Sequence, residues 1–503
     1  MNSLLKVRGP RRNAREPEDA ATAVDRKIEK LSRLFLVLFI VTAALLSYWQ
    51  IVDAGSLVNR AENPRLYYSR LAIRRGAFYD RNGAVLARTT FSGSGPNAQP
   101  TRTYPTASLG ALLGYDSAQY GNAGLEDVYN AYLNGAAPSQ PLDNTLNRLL
   151  HQPIIGDDVH LTIDARIQKI VATEFGAGRG ACVVADPRTG AIEALYSQPS
   201  IDPNLVDDQG YWDSTLKRTD SPFVDRALRA AYAPGSTFKT ITLAAAYDTG
   251  LLDTSTVLQG QQATGPLFVD GYLLRSAINN LPNGVASVST VDAFKYSDNI
   301  AFATIGISLT QPTLLDYAAR FGFGAAIPFD LPVTRSQMTT HPDTFSRLDL
   351  AESAFGQAEV LATPLQMLMA AEAVANGGQE MTPYVVSAVT APNGEILTQN
   401  NPSVFSTPIS AATAAKMTQA MTAVVESPGG SGFEAKVPSV PVAGKTGTAE
   451  TPGGAPHAWF IGFAPADHPR LAIVVFKENG GEGYAQAAPI AGRILAQALP
   501  LTK

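Results

Sequence analysis

Cysteine is almost missing from this sequence. The 503 residues include one, Cys182, so neither an intrachain disulfide nor a multi-cysteine metal site can form. Its surroundings, Ala181-Cys182-Val183-Val184-Ala185, read as a buried strand in which the thiol is a small apolar filler. Histidine is scarce too. The five present, His151, His160, His341, His457 and His468, show neither an HExxH pattern nor paired ligand spacing, so no metal site and no cofactor are expected. Charge of one sign is also lacking: 39 Lys and Arg against 44 Asp and Glu give a net charge of −5. That leaves no broad basic surface and excludes nucleic acid as an expected partner. The chain carries no internal repeat, coiled coil or low-complexity tract. What remains, at 45% hydrophobic and 17% charged residues, is globular composition with room for one large core and a smaller domain.

One long apolar run is present. Residues 34–52 are uncharged and apolar apart from Thr42, Ser47 and Gln50, about the length that crosses a hydrocarbon core of ~30 Å as a helix. Upstream lie Lys6, Arg8, Arg11, Arg12, Arg15, Arg26, Lys27, Lys30 and Arg33, an excess that favours a cytoplasmic tail over residues 1–33 and an extracytoplasmic location for everything after the span. Tyr48 and Trp49 fit the outer interface. A cleaved signal peptide is the competing reading, with Val52-Asp53-Ala54 as a weak cleavage site; the charged leader and the full-length span argue against it.

Residues 53–155 alternate short apolar runs with Gly, Pro and Asn turns. Asn82-Gly83 between apolar segments signals a hairpin, and the region reads as an elongated α+β pedestal. From residue 156 onward the pattern changes. Residues 160–163, 181–185 and 191–196 read as strands, residues 167–175 as a helix, and Asp186-Pro187-Arg188-Thr189-Gly190 as a turn. Residues 459–463 and 471–476 read as neighbouring antiparallel strands followed by a helix over 490–499. Strands at both ends of this domain with a helical middle predict an α+β fold whose sheet is closed by the two ends of residues 156–503.

Three short elements carry the chemistry. In Ala233-Pro234-Gly235-Ser236-Thr237-Phe238-Lys239-Thr240, Pro-Gly breaks the chain and an apolar helical run follows. Ser236 is thereby expected in a first turn, where free amides favour developing negative charge. Lys239, three residues on, shares its helical face, and an apolar setting would let it accept the serine proton. Ser-x-x-Lys also occurs at Ser3 and Ser214, but without the turn and buried helix. The second element is Tyr296-Ser297-Asp298-Asn299, whose hydroxyl and amide could relay a proton and hold a substrate amide; alone it could equally be a polar turn. The third is Val442-Ala443-Gly444-Lys445-Thr446-Gly447-Thr448-Ala449. A phosphate-binding loop would need Gly where Ser439 stands, so an edge strand beside a cleft is the better reading. There Lys445, Thr446 and Thr448 could bind a carboxylate while Gly447 permits close backbone approach.

The order Ser-x-x-Lys, Ser-x-Asn, Lys-Thr-Gly is the signature shared by β-lactamases and penicillin-binding proteins. Over nearly all of its exported length the sequence resembles the class B penicillin-binding proteins, monofunctional D,D-transpeptidases. Supporting matches are Arg75-Gly76 to Gly83, Leu161-Thr162-Ile163-Asp164, Ser197-Gln198-Pro199-Ser200, Asp202-Pro203-Asn204 and Thr363-Pro364-Leu365-Gln366. One departure is Phe355-Gly356-Gln357-Ala358, where the family usually has glycine at Ala358.

The resemblance implies a pedestal of dimerisation type and a transpeptidase domain with a central antiparallel sheet and a helical subdomain. It further implies that Ser236 attacks a D-Ala-D-Ala carbonyl with Lys239 as base. Ser297 would pass the proton to the leaving amine, Asn299 would hold the donor, and Lys445, Thr446 and Thr448 would bind the departing carboxylate. The backbone amides of Ser236 and Thr448 would form the oxyanion hole. The implied partners are peptidoglycan stem peptides, β-lactam antibiotics that mimic them, the plasma membrane and a separate polytopic membrane glycosyltransferase.

Other readings share parts of this pattern. A membrane-anchored β-lactamase would hydrolyse its acyl-enzyme, often with a Glu-x-x-Leu-Asn loop that is absent here. A β-lactam sensor would need several spans and an effector, and an idle cell-wall scaffold would keep the fold without the turnover. A Ser-His-Asp hydrolase would need a Gly-x-Ser-x-Gly elbow, which Gly235-Ser236-Thr237-Phe238 does not supply. A bifunctional enzyme with its own glycan polymerase would need a second domain before the transpeptidase of about twice the pedestal's length.

Overall fold

The structure is a computed structural model that describes residues 18–52, 73–93, 99–137, 154–260, 265–274 and 287–502. The chain falls into two compact units, Met1–Arg70 and Leu71–Lys503.

In the first unit a helix runs over Glu18–Ser47 and widens into a π-type turn over Tyr48–Val52. It therefore starts before the apolar run expected at 34–52. The residues ahead of that run, rich in Ala, Glu, Lys and Arg, are good helix formers and extend it without being apolar. Arg33 pairs with Glu29 one turn back at 2.5 Å. Within the run Thr42 donates its hydroxyl to the Leu38 carbonyl at 2.7 Å, so its polar group is satisfied inside the helix. The stretch Val24–Gln50 is long and apolar enough to cross a membrane.

The second unit is built on a five-stranded antiparallel sheet. Its strands are β1 (Gly180–Asp186), β2 (Ala191–Gln198), β3 (Ala443–Ala449), β4 (His457–Ala464) and β5 (Leu471–Lys477), in the order β2-β1-β5-β4-β3. Strands from either end of the unit thus meet, β5 pairing with β1 through Val474↔Val183. Every residue of β5 and all but the last of β1 are buried. Continuous burial of this kind requires cover on both faces rather than one. Helices Ala165–Phe175 and Gly483–Ala498 pack on each other and on the sheet, as do Pro364–Ala375 and Ala411–Glu426. Cys182 lies in β1, free and buried.

Several boundaries shift from expectation, two of them for visible reasons. The strand expected at 160–163 runs over Asp158–Leu161, because Thr162 turns its hydroxyl to the Ile192 carbonyl and Asp164 caps the next helix by accepting from the Arg166 amide. The C-terminal helix begins at Gly483 rather than 490 and contains Pro489. A proline inside a helix removes one hydrogen bond and ordinarily marks a break.

A second sheet has six strands, in the order Ile396–Gln399, Val386–Thr390, Asp158–Leu161, Phe78–Tyr79, Val85–Ser92, Gln99–Thr103. Residues on both sides of position 155 share it, with Phe78 paired in parallel to Val159. The Asn82-Gly83 turn joins Phe78–Tyr79 to Val85–Ser92, and Asp80 accepts from the amides of Asn82 and Ala84 to hold it. Nearby, Glu126 is fully buried and is met by Arg75 at 2.7 Å, Arg102 at 2.8 Å and the Tyr104 hydroxyl at 3.1 Å.

The helical part centres on Lys239–Asp248, in which residues 239–247 are all buried. It packs against Asn299–Leu309, Gln311–Arg320 and Ala411–Glu426.

Candidate active site

Pro234-Gly235 ends the incoming chain, and the next four residues, Gly235–Phe238, wind a tight 3-10 turn that feeds the helix. Gly235 takes φ +52°, and a Cβ there would lie 2.6 Å from the Thr448 carbonyl oxygen. On the facing strand a Cβ at Gly447 would lie 2.8 Å from the Pro234 carbonyl oxygen. Two glycines thus let the nucleophile turn and β3 touch backbone to backbone. Thr237 ties the turn down by donating its hydroxyl to the Pro234 carbonyl at 2.7 Å. Strand β3 is an edge of the sheet, as expected from the Lys-Thr-Gly segment.

Ser297 and Asn299 arrive on the turn between helices Thr290–Lys295 and Asn299–Leu309. Ser297 adopts φ +62°, unusual for a non-glycine residue, and Asp298 caps the second helix by accepting from the Ile300 amide at 2.9 Å.

The three segments meet at two buried amines. Lys239 Nζ donates to the Ser297 carbonyl at 2.8 Å and to Asn299 Oδ1 at 2.6 Å, with Ser297 Oγ at 3.3 Å. Lys445 Nζ donates to Ser297 Oγ at 2.9 Å and to the Thr446 carbonyl at 3.0 Å. Both lysines are wholly buried. Burial disfavours their charged forms and pulls both pKa values down; the Asp298 carboxylate partly offsets this at Lys239, whereas the Lys239 charge deepens it at Lys445. Asp298 is pushed upward by its own burial, partly offset by Lys239.

Hydrogen-bond counting shows what this arrangement can do. A neutral amine has two N–H groups and one lone pair. At Lys239 the two close acceptors use both N–H groups, which leaves the lone pair for an incoming proton. Ser297 Oγ accepts from Lys445, so its own proton is free to be given. Among the described residues no side-chain hydrogen bond joins the Ser236 hydroxyl to Lys239, whose close acceptors lie on the Ser297–Asn299 turn.

A cleft of about 680 Å³ opens over this point, its walls including Ser236, Asn299, Thr448, Glu352, Glu450 and Glu482. Lys239 and Lys445 are buried away from that surface. The hydroxyls expected to hold a carboxylate are engaged within the protein. Thr446 donates to Ser431 Oγ at 3.0 Å, and Thr448 donates to Glu482 Oε2 at 2.8 Å while accepting from the Gly483 amide at 3.1 Å. Ser431, Glu482 and the cleft carboxylates Glu352 and Glu450 escaped sequence reasoning, since none stands in a spacing that marks it. Asp298 was legible only as a polar residue ahead of an apolar helix. Ala358, on the cleft wall, holds φ +55°, a conformation suited to the glycine that the family resemblance leads one to expect there.

Comparison with known proteins supplies independent findings. Residues 180–496 match the family described as Penicillin binding protein transpeptidase domain, and residues 75–159 match the Penicillin binding protein A dimerisation domain. The peptidoglycan D,D-transpeptidase PbpA of Mycolicibacterium smegmatis is 30% identical over 506 residues, covering 95% of this chain and 99% of that protein. The peptidoglycan D,D-transpeptidase MrdA of Acinetobacter baumannii is 29% identical over 79% of this chain and 66% of its own. Among solved structures, the ceftriaxone acyl-enzyme complex of penicillin-binding protein A from M. tuberculosis superposes with a TM-score of 0.79 at 30% identity, covering 86% of this chain and all of that one.

Proposed function

The chain belongs to the family of penicillin-binding protein transpeptidases, and from that premise we propose that it is a peptidoglycan D,D-transpeptidase acting through Ser236. The Ser236 oxygen bonds to the carbonyl carbon of the terminal D-Ala-D-Ala peptide as Lys239 takes the hydroxyl proton. The tetrahedral oxyanion is received by the backbone amides of Ser236 and Thr448, a contribution worth ~10²- to 10³-fold in rate per donor. Collapse breaks the C–N bond, Ser297 gives its proton to the departing amine and regains one from Lys239, 3.3 Å away, and an acyl-enzyme remains with Lys239 neutral again. An amine from a neighbouring stem peptide then attacks the ester carbonyl, forms the cross-link and returns the proton to Ser236. Asn299 holds the donor peptide. The strand that carries Lys445, Thr446, Gly447 and Thr448 receives its carboxylate, with Thr448 on the cleft wall and Lys445 buried behind it. A β-lactam enters the same path as a donor and stays on the serine.

The observation that carries this reading is the meeting of Lys239 and Lys445 at the single Ser297 residue, 2.8 Å and 2.9 Å from its carbonyl and hydroxyl oxygens. The helix that contains Val24–Gln50 is the membrane anchor, with the basic N-terminal residues on the cytoplasmic side and the catalytic unit outside. Glycan polymerisation falls to a separate polytopic membrane glycosyltransferase.

Fluorescent penicillin tests the reading on the full-length chain in detergent. The wild type should become covalently labelled and hold the label for many minutes, and Ser236→Ala should not label. Label lost within seconds identifies a β-lactamase instead, and stable label without cross-linked product identifies a sensor or scaffold.

A further inference from the structure

The Thr448 hydroxyl has one proton and two lone pairs. The proton goes to Glu482 at 2.8 Å, and a lone pair takes the Gly483 amide at 3.1 Å. Glu482 stands at the N-cap of the C-terminal helix, yet its side chain makes no cap to its own helix; it reaches back to the strand instead. Behind it the helix start is pressed against β3: a Cβ at Gly483 would lie 2.3 Å from the Gly447 carbonyl oxygen and 2.7 Å from that of Trp459. Thr448 is the second-last residue of β3, near the point where ladder support ends, so its placement rests partly on this clamp.

We propose that Glu482 is a positioning residue for the reaction: by holding the Thr448 hydroxyl it fixes the Thr448 backbone amide in the oxyanion hole. This rests on the transpeptidase reading and adds to it a residue that its three motifs do not contain.

Stopped-flow acylation of the full-length chain by a chromogenic cephalosporin separates initial binding (Kd) from acylation (k2). Glu482→Ala and Thr448→Val should each lower k2 on the order of tenfold, less than the ~10²- to 10³-fold lost when an oxyanion donor is deleted outright. Kd should stay within about twofold, and the double variant should fall no further than either single, since both remove one contact. Glu482→Gln, whose amide oxygen still accepts the hydroxyl proton, should recover most of k2 at an unchanged Tm. The proposal is overturned by Glu482→Ala at wild-type k2, by Glu482→Gln as slow as Glu482→Ala, by a loss of k2 that follows a fall in Tm, or by Thr448→Val raising Kd with k2 intact. A wild type that does not acylate would instead end the transpeptidase reading.

Discussion

Two clusters of buried charge lie in this chain and behave oppositely. In the first, Glu126 is out of water but faces Arg75 and Arg102, and their guanidinium groups hold its pKa below the usual carboxylate value despite full burial. In the second, Lys239 and Lys445 are equally buried, with carbonyls, hydroxyls and an amide as direct hydrogen-bond partners, and both pKa values fall. The difference lies in countercharge. A buried ion with full partners is a structural staple, whereas an amine hydrogen-bonded to neutral groups, its burial only partly offset by the Asp298 carboxylate, gives up its charge readily.

Breaking the second cluster should have the largest effect. Lys239→Met is expected to lower penicillin acylation by ~10²- to 10⁴-fold, the usual range for loss of a general base, read by stopped flow. In the wild type the free-base form grows as pH rises, and the lowered pKa moves that rise below the ~10.4 of an ordinary lysine. An acylation rate that keeps climbing only above pH 10 would refute the poised amine.

Breaking the first cluster should be felt in stability instead. Glu126→Ala strands two buried arginines and is expected to cost ~3–5 kcal/mol in denaturant unfolding, while the folded fraction acylates at the wild-type rate. A loss of acylation in the folded fraction would show that the two clusters are coupled.

Glu372 and Glu380 are fully buried, and burial pushes both pKa values up to about 8, with Glu380 adding to the rise at Glu372. A carboxyl whose folded pKa is raised loses stability as pH climbs from its unfolded value near 4.5 to about 8. Glu380→Gln should therefore add roughly 4–5 kcal/mol at pH 9 and almost nothing at pH 4, measured as Tm against pH. The smallest effect concerns backbone rather than charge. Ala358→Gly should relieve left-handed strain of ~1–2 kcal/mol, offset by ~0.4–1 kcal/mol of unfolded-chain entropy, for a net Tm rise of a degree or two.

The sequence made legible those parts of the site that depend on local chain chemistry. Pro234-Gly235 ahead of an apolar run located the Ser236 turn, and Gly447 between two threonines marked an edge strand that had to admit another backbone. The pairing of residues 471–476 with 459–463 followed from two dense apolar runs close in the chain. What stayed hidden depends on partners far apart in sequence. Glu482 meets Thr448 only because a helix start is folded onto a strand end, and Glu126 meets Arg75 and Arg102 across a sheet edge. Lys239 was expected to turn toward Ser236, its helical neighbour, but a turn 58 residues away supplies stronger acceptors. Pro489 hid the true start of the C-terminal helix, because a proline is ordinarily read as a boundary.

The six-stranded sheet limits how this enzyme can be trimmed for the bench. A truncated chain starting at residue 156 would keep every side chain proposed for catalysis yet strip Asp158–Leu161 of its neighbour Phe78–Tyr79, baring a new sheet edge. It would also orphan Asp158, whose carboxylate receives the Ala77 amide at 2.7 Å, and Glu193, which is bonded to Arg81, and would leave Asp164 with Arg166 but without Arg81. Soluble versions should retain the chain from about residue 71, where the second compact unit begins.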